Sequence, residues 1–281
     1  MQIFTQIAPL KAFLSDIRRR EKSVGLVPTM GALHAGHISL FKACNDQNDV
    51  TVGSIFVNPI QFNNPDDLTK YPRTLEKDIE LLESIGCDAL FAPESSEMYP
   101  EKSVLTIDFG TLDKVMEGRF RPGHFSGVAL VVSKLFNIVQ PDRAYFGQKD
   151  WQQFAIIQKL IEELNFNIGL HSVKTLREAD GLALSSRNLR LNTEERKTAT
   201  IFYQCLLEAN RALALGKPLQ DVKEIVSSMV DSTPGVKLEY FELADSQNLN
   251  LLENVEQSGR PIMCIAGYVG EIRLIDNMFV N

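Results

Sequence analysis

The sequence predicts an α/β protein, with a Rossmann-like parallel-sheet domain followed by a smaller α+β domain. In the first part of the chain, short apolar runs typical of strands alternate with runs typical of helices. Such alternation indicates βαβ units and a parallel sheet. After Thr175 the alternation ends, and a polar, glycine-bearing connector leads to helical runs and then to further strand-like runs. We expect the first domain to span 1–176 and the second 177–281.

The elements are predicted from these runs. Strands of the first domain are expected at Val24–Val27, Thr51–Val57, Ala89–Ala92, Leu105–Phe109, Ala144–Phe146 and Ile168–Val173. Its helices are expected at Leu10–Arg20, His37–Gln47, Leu75–Ile85, Gly127–Val139 and Trp151–Leu164. In the second domain, a helix is expected to begin at the capping pair Asn192 and Glu195 and to continue to Leu215. A second helix is expected at Leu219–Val230, and strands at Leu238–Leu243, Pro261–Tyr268 and Ile272–Ile275.

The most informative segment is the turn Pro28–His37, which joins a predicted strand to a predicted helix. Unpaired amides at a helix start make such a turn a natural anion site. Gly31 and Gly36 let the backbone approach a bulky anion, because no Cβ intervenes. His34 and His37 are three residues apart, so they project from one helix face, and imidazoles can donate to phosphate and carry charge near neutral pH.

Other interpretations of this turn remain open. The spacing of its glycines nearly matches a P-loop, but His37 and Ile38 stand where a P-loop has lysine and a hydroxyl, which excludes a standard P-loop kinase or ATPase. The turn can be a tight connection only. The histidine pair can also bind zinc, which needs a third ligand; the other histidines are His124 and His171, and no cysteines are paired in sequence.

The segment Gly147–Asp150 also ends a strand and opens a helix. Its glycine and carboxylate suit the hydroxyls of a ribose, and Lys149 offers a point charge for phosphate. The alternative is that Asp150 only caps the helix.

The connector contains Leu182–Asn188, in which two hydroxyls and a guanidinium can bind an anion and a loop between domains can close over it. The alternative is an ordinary polar linker. The irregular stretch Met116–Phe125 is a weaker candidate. Gln61 and Gln153 are neutral amides able to bind a hydroxyl or carboxylate, although spacing alone promotes neither.

The composition limits the function classes. The chain has 281 residues, 44% of them apolar and 23% charged, with a net charge of −7, which argues against a nucleic-acid partner but allows a local nucleotide pocket. Its four scattered cysteines suggest neither a metal knot nor disulfides. We expect a cytoplasmic protein with no membrane association, because neither a signal peptide nor a long apolar segment is present. No serine or cysteine stands in a nucleophile elbow.

The His-Ala-Gly-His of the turn resembles the His-x-Gly-His signature of the nucleotidyltransferase superfamily. Five further segments resemble the pantothenate synthetase family, so the resemblance runs in order from about Pro28 to the C-terminus. These segments are Phe56–Phe62, Tyr71–Thr74, Arg121–Phe125, Phe146–Asp150 and Leu184–Asn188. Each motif alone is weak, but all of them in order are highly specific.

The resemblance implies a ligase that uses ATP and Mg²⁺ to join pantoate to β-alanine through a pantoyl adenylate, releasing AMP and pyrophosphate. It also implies a homodimer formed through the first domain. The residues that it assigns to ATP are Met30, Gly31, Ala32, Leu33, His34, Ala35, Gly36, His37, Gly147, Gln148, Lys149, Asp150, Leu176, Leu184, Ser185, Ser186 and Arg187.

Within this set, the resemblance implies that His37, His34 and Lys149 are catalytic. Gln61 and Gln153 would hold pantoate, and Gln61 would also help to place β-alanine. The metal ligands remain unknown. Asp78 is a candidate, but Lys77 beside it excludes an acidic pair, so we expect phosphate oxygens to hold most of the Mg²⁺.

Two other functions are weighed against this one. Another nucleotidyltransferase, one that adenylylates a phosphate ester, would not need the amides of Asn58–Phe62 or of Gln153. A nucleotide-binding sensor on a decayed enzyme scaffold is disfavoured, because the candidate catalytic positions are intact. A tRNA-binding role is disfavoured by the charge and by the lack of a basic domain.

Overall fold

The computed structural model describes residues 1–280 and contains a six-stranded sheet in the first part of the chain. Its strands are β1 (Gln2–Phe4), β2 (Val24–Thr29), β3 (Val50–Ile55), β4 (Ala89–Phe91), β5 (Arg143–Gly147) and β6 (Gly169–Val173). The spatial order is β1-β4-β3-β2-β5-β6, and every neighbouring pair is parallel. The predicted Rossmann-like parallel sheet is therefore confirmed.

Helices cover both faces of this sheet. The helices of this part of the chain are α1 (Ile7–Arg19), α2 (Ala35–Asn45), α3 (Pro65–Thr69), α4 (Leu75–Ser84), α5 (Ser95–Met98), α6 (Met116–Phe120), α7 (His124–Val139) and α8 (Trp151–Glu163). One face buries Leu14 of α1, Phe136 of α7 and Leu160 of α8 against the strands. The other buries Phe41 of α2 and Leu82 of α4. Apolar residues on both faces explain why the inner strands are almost continuously buried.

The strand order creates a crevice at one edge of the sheet. From β2 the chain moves to β3 on one side, and it later returns to β5 on the other side of β2. In open parallel sheets, ligands bind at such a point, beyond the carboxyl ends of the strands. The turn that follows β2 and the segment that follows β5 therefore meet at one place.

The second domain contains an antiparallel sheet, β7-β8-β9, of β7 (Val236–Asp245), β8 (Pro261–Val269) and β9 (Ile272–Phe279). The helices α9 (Thr193–Thr198), α10 (Ile201–Ala214) and α11 (Leu219–Asp231) precede it. Helices α10 and α11 pack on one another and on the sheet. The predicted α+β architecture is confirmed.

Two predicted elements differ from the structure. The expected single helix from Asn192 to Leu215 is divided between α9 and α10. At the division, the hydroxyls of Thr198 and Thr200 donate to the carbonyls of Glu194 and Lys197. Such bonds from threonine hydroxyls to the preceding turn bend helices.

The expected strand Leu105–Phe109 is wrong, because this segment is irregular. Its amide at Ile107 donates to the Ser126 hydroxyl (3.0 Å) instead of to a neighbouring strand. The short edge strand β1 was not predicted, since three residues carry no detectable periodicity. Among residues 1–280, none of the helices combines the length and the apolar character that a membrane-spanning segment needs.

A buried ion pair joins the two domains. The Glu117 carboxylate of α6 accepts from both terminal nitrogens of Arg273 in β9 (2.9 and 2.6 Å) and from the Tyr240 hydroxyl (3.0 Å). Burial raises the pKa of Glu117, but its bonds to Arg273 and the nearby Arg121 outweigh this and lower the pKa to about 2. The carboxylate is thus ionised at neutral pH, and the pair fixes the second domain beside α6.

We predict that Glu117→Gln lowers the free energy of unfolding by about 3 kcal/mol, because Arg121 loses its carboxylate partner and Arg273 keeps only that of Glu239. Urea unfolding monitored by circular dichroism measures this change. Glu163→Gln is the control; it breaks the exposed Lys159–Glu163 pair and should cost no more than ~1 kcal/mol. Equal effects of the two variants would contradict the assigned role of Glu117.

Candidate active site

A cavity of about 220 Å³ lies at the crevice beyond β2 and β5. It brings together most of the residues predicted from the sequence, although these come from distant parts of the chain. The predicted residues that line it are Met30, His34, Gly36, His37, Gln61, Gly147, Lys149, Asp150, Gln153, Leu176, Leu184, Ser185, Ser186 and Arg187. Those that do not are Gly31, Ala32, Leu33, Ala35 and Gln148.

The turn after β2 is built on a buried carboxylate. Gly31 and Ala32 have positive φ angles of 81° and 51°, a conformation that glycine adopts readily and alanine does not. The amides of Ala32 and Leu33 donate to the two oxygens of Asp78 (2.9 and 2.8 Å). The Thr74 hydroxyl donates to the same carboxylate (3.1 Å).

These bonds correct two expectations. The amides of this part of the turn are paired with Asp78, so they are not open to an anion. Asp78 itself is only 3% exposed, and its oxygens hold the backbone of the turn. We therefore assign it to shaping the turn and not to metal binding.

The two histidines form a reciprocal cap at the start of α2. The Gly36 amide donates to His34 Nδ1 (3.1 Å), and the His34 amide donates to His37 Nδ1 (3.3 Å). Because both Nδ1 atoms accept, the hydrogen of each neutral ring is on Nε2. Gly36 permits this packing, since a Cβ there would lie 2.9 Å from the His34 ring.

Both imidazoles are neutral at pH 7 in the free protein. Burial and the Lys149 ammonium lower the pKa of His34 to about 4. Burial, His34 and Lys149 lower the pKa of His37 to about 3. Of the two abilities that imidazoles have at such a site, charge and hydrogen-bond donation, the free protein therefore keeps only donation, through neutral N–H groups.

The zinc interpretation of this pair finds no support in the described part of the chain. Within residues 1–280, no group of three His, Cys, Asp or Glu side chains is placed to hold a metal ion.

The segment after β5 supplies both charges predicted for it. Lys149 and Asp150 line the cavity, and α8 begins without a side-chain cap from Asp150. The capping interpretation of Asp150 is therefore wrong, and its exposed carboxylate can accept hydrogen bonds from a ligand. The Asn277 side chain of β9 donates to the carbonyls of Gln148 and Lys149 (2.9 and 2.7 Å), so the second domain holds this segment in place.

Gln61 is held in a network that fixes both ends of its amide. Its Oε1 accepts from Asn58 Nδ2 (3.1 Å), and its Nε2 contacts the sulfur of Met30 (3.1 Å). Tyr99 donates to Asn58 (3.0 Å), and the His124 ring donates to the Gln61 carbonyl (2.8 Å). Gln61 is thus an oriented polar group in a wall that is otherwise largely apolar.

Sequence reasoning missed several residues of the cavity wall. Those with apolar side chains are Val128, Val131, Val132 and Leu135, and the polar ones include Lys174 and Thr175. Phe56, Asn58 and Tyr71 also line the cavity, and they lie in the segments Phe56–Phe62 and Tyr71–Thr74 that carry the resemblance noted from the sequence. The aliphatic stripe on α7 has helical spacing, but core stripes have the same spacing, so no signal in the sequence separates them.

The connector closes the cavity from the opposite side. Ser185, Ser186 and Arg187 line it, and the Ser186 hydroxyl lies 3.5 Å from the hydroxyl of Tyr71. The interpretation of this segment as an ordinary linker is not supported. By contrast, the weaker candidate Met116–Phe125 is chiefly structural, since Glu117 pairs with Arg273 and His124 supports Gln61.

The cavity carries a local positive charge in an acidic protein. The ionic side chains on its wall include Lys149, Lys174 and Arg187, against the carboxylate of Asp150. A polyanion is therefore attracted to this cavity despite the net charge of −7.

Known proteins resemble this chain along its whole length. The family model described as pantoate–β-alanine ligase matches residues 2–279. A protein named pantothenate synthetase from Bacteroides fragilis is 48% identical over 278 residues, covering 99% of this chain and 98% of that protein. Another protein of that name, from Carboxydothermus hydrogenoformans, is 45% identical over 283 residues, and the match covers 100% of this chain and 99% of that protein.

Solved structures agree with the sequence matches. A crystal structure of pantothenate synthetase from Thermus thermophilus superposes with a TM-score of 0.92 at 39% identity and covers 99% of both chains. A pantoate–β-alanine ligase from Francisella tularensis, described as complexed with β,γ-ATP and β-alanine, has a TM-score of 0.83 at 37% identity and covers 99% of this chain and 97% of its own. The chain therefore belongs to the pantoate–β-alanine ligase family.

Proposed function

We propose that this chain joins pantoate to β-alanine at the expense of ATP, through a pantoyl adenylate, and releases AMP and pyrophosphate. The shared cavity supports this proposal most directly. In it, the His34–His37 cap, Lys149 and the connector face the oriented amide of Gln61. It offers cationic and N–H donors for a triphosphate beside a largely apolar pocket with polar groups. Family membership and the described ATP and β-alanine complex of the Francisella protein support the same reaction.

ATP is proposed to lie across the crevice. Its ribose hydroxyls donate to Asp150 beside Gly147, and its phosphates contact His34, His37 and Lys149. Ser185, Ser186 and Arg187 bind the phosphates from the connector side, and the backbone of Leu176 meets the adenine. The residues of the turn that do not line the cavity contribute by shape, because Asp78 holds their amides.

Pantoate is proposed to bind deeper, between Gln61 and Gln153. The dimethyl group of pantoate is apolar and suits the aliphatic wall of Val128, Val131 and Leu135, whereas its hydroxyls and carboxylate need hydrogen-bond partners. Gln61 also helps to place β-alanine.

In the first step, a carboxylate oxygen of pantoate attacks the α-phosphorus of ATP. The bond from that phosphorus to the bridging oxygen breaks, and pyrophosphate leaves. Negative charge grows on the phosphoryl oxygens in the transition state. The Nε2–H groups of His34 and His37 and the ammonium of Lys149 are fixed donors for this charge.

In the second step, the neutral amine of β-alanine attacks the acyl carbon, the bond from that carbon to the phosphate oxygen breaks, and AMP leaves. The nitrogen gives up one proton as the amide forms. Adenylate is a good leaving group, so no protein nucleophile is required, and none is suggested by the sequence. The main requirement is to keep water from the adenylate. The connector that covers the cavity is proposed to serve that purpose.

Mg²⁺ is proposed to enter bound to ATP, as part of the substrate. Residues 1–280 offer no cluster of acidic or histidine ligands for it, and Asp78 is engaged by the turn. Phosphate oxygens are ordinary ligands of this hard cation.

We also propose that the boundary between the two domains lies between residues 176 and 177, and that the protein is cytoplasmic. Its four buried cysteines form no disulfides, which is consistent with a reducing compartment.

We further propose that the protein is a homodimer. Val104 and Leu105 of the first domain are 91% and 70% exposed, which is consistent with a partner contact there. Sedimentation velocity measures the oligomeric state directly.

The proposal is tested by supplying ATP, pantoate and β-alanine in all combinations. Pantothenate and AMP should form in equal amounts when all are present, and pyrophosphate release should require pantoate. Pyrophosphate release with a phosphate ester in place of pantoate, and none with pantoate, would instead identify a different nucleotidyltransferase.

We predict that His37→Ala slows adenylate formation by roughly 10²–10³, the scale for loss of one donor to the developing charge. Pantoate-dependent pyrophosphate release under single-turnover conditions measures this rate. His171→Ala, which changes a histidine in β6 beside Tyr145, is the control and should leave the rate within about twofold of the wild type. Near wild-type turnover of His37→Ala would remove this residue from the mechanism.

We predict that Gln153→Ala chiefly raises KM for pantoate, by about tenfold for the loss of ~1.4 kcal/mol of hydrogen bonding. Steady-state kinetics with each substrate varied in turn provides the test. Gln158→Ala is a matched change in the same helix, where the Gln158 amide bonds to the exposed Glu162. It should leave KM for pantoate and KM for ATP unchanged. If ATP binding weakens while pantoate binding does not, Gln153 has been placed wrongly.

We predict that, in the free protein, His34 gains its proton near pH 4 and His37 near pH 3. The unfolded chain binds these protons near pH 6.5, so folding stability should fall as the pH is lowered from about 6.5 towards those values. NMR of the imidazole ring protons records the titrations. Lys149→Met should raise both pKa values, because it removes a nearby positive charge. Titration of both rings near 6.5 in the folded wild type would refute their neutral state.

A further inference from the structure

Asp67 of α3 connects two arginines of the connector. Its Oδ2 accepts from Arg187 Nη2 (3.0 Å), and its Oδ1 accepts from Arg190 Nη1 (3.1 Å). The three side chains are each about one quarter exposed, at 25%, 26% and 28% for Asp67, Arg187 and Arg190. Close by, Tyr71 and Ser186 bring their hydroxyls within 3.5 Å. The first domain is thus tied to the connector at the rim of the cavity.

The charges of this group favour a bound anion. Burial raises the pKa of Asp67, but the two arginines outweigh this effect and lower it, so the carboxylate is ionised at neutral pH. One carboxylate between two guanidinium groups leaves a net charge of +1. Without the carboxylate, Arg187 and Arg190 would repel each other, and neither would be held at the rim.

Arg187 can hold the carboxylate and a phosphate at once. Asp67 engages Nη2 of its guanidinium, and a guanidinium has five N–H donors. Arg187 also lines the cavity. The ion pair therefore fixes the orientation of the guanidinium while donors remain for a ligand.

We propose that Asp67 is a positioning residue of the active site, which orients Arg187 towards the ATP phosphates and holds the connector closed over the adenylate. This inference rests on the proposed function. Arg190 supports the same ion pair, because it donates to the second oxygen of Asp67 and prevents the carboxylate from rotating away from Arg187. Asp67 acts through Arg187 and does not contact substrate.

Loss of closure has a defined chemical consequence. Water then reaches the pantoyl adenylate, its oxygen attacks the acyl carbon, and the bond from that carbon to the phosphate oxygen breaks. The products are pantoate and AMP, with release of one proton. AMP is then made without pantothenate, so the ratio of AMP to pantothenate reports on closure independently of the overall rate.

The test compares Asp67→Asn with Asp66→Asn. Asp66 is the preceding residue of the same helix, and it is exposed. We expect Asp67→Asn to raise KM for ATP by about tenfold, the factor for ~1.4 kcal/mol. We also expect it to raise the ratio of AMP to pantothenate from one to about two or more, with an unchanged melting temperature. Asp66→Asn should behave as the wild type, and Asp67→Glu should recover part of the coupling.

A second measurement needs no catalysis. Hydrogen exchange in the free protein should become faster at residues 64–71 and 185–190 in Asp67→Asn, and not in Asp66→Asn. Arg190→Gln should show a weaker form of the same change. Hydrogen exchange in the double variant Asp67→Asn/Arg190→Gln should be no faster than in Asp67→Asn alone, because both substitutions break the same ion-pair cluster.

An unchanged KM for ATP together with a ratio of one in Asp67→Asn would overturn the proposal, as would equal defects in Asp66→Asn. If Asp67→Asn fails to fold, Arg190→Gln decides the matter by the same two readouts. A wild-type protein that makes no pantothenate would refute the proposed function. In that case, unaltered hydrogen exchange in Asp67→Asn would separately refute the closure.

Discussion

The site depends on the carboxylate of Asp78, which is buried under the turn after β2. Its two oxygens accept the amides of Ala32 and Leu33, and this compensates for the unusual positive φ angle of Ala32. A buried carboxylate without such partners would be costly, so the turn and the carboxylate stabilise one another. The direction in which the chain enters α2, and with it the position of His34 and His37, follows from this interaction.

The groups in the cavity that can bind an anion are not all cations. Burial keeps the histidines neutral, and Lys149 beside them strengthens that effect. The proposed anion contacts thus combine neutral N–H donors on rigid elements with the lysine and arginine charges of more distant segments. Donors that are already oriented need little reorganisation when charge develops, which is the physical basis of the proposed catalysis. The same arrangement lets an acidic protein attract a polyanion at one place.

The two domains contribute in different ways. The parallel sheet supplies the crevice, because the strand order reverses between β2 and β5. The antiparallel sheet holds parts of the first domain in place. Asn277 donates to the backbone carbonyl of Lys149, and Arg273 pairs with Glu117. The connector between the domains provides the remaining wall, and Asp67 ties it to the first domain. The proposed closure over the adenylate therefore depends on both domains together.

The fold class, the main strands and helices, and most segments that line the cavity are predictable from the amino-acid sequence. These follow from local periodicity, from turn chemistry and from motifs in a fixed order. The sequence could not separate the α7 stripe at Val128 and Val131 from an ordinary core face, nor predict that Asp150 leaves its helix uncapped. Three further features emerge in the folded chain alone: Asp78 holds the turn, the histidines are neutral, and Asp67 reaches Arg187. Each of these depends on burial or on contacts between residues far apart in the chain, which no local pattern encodes.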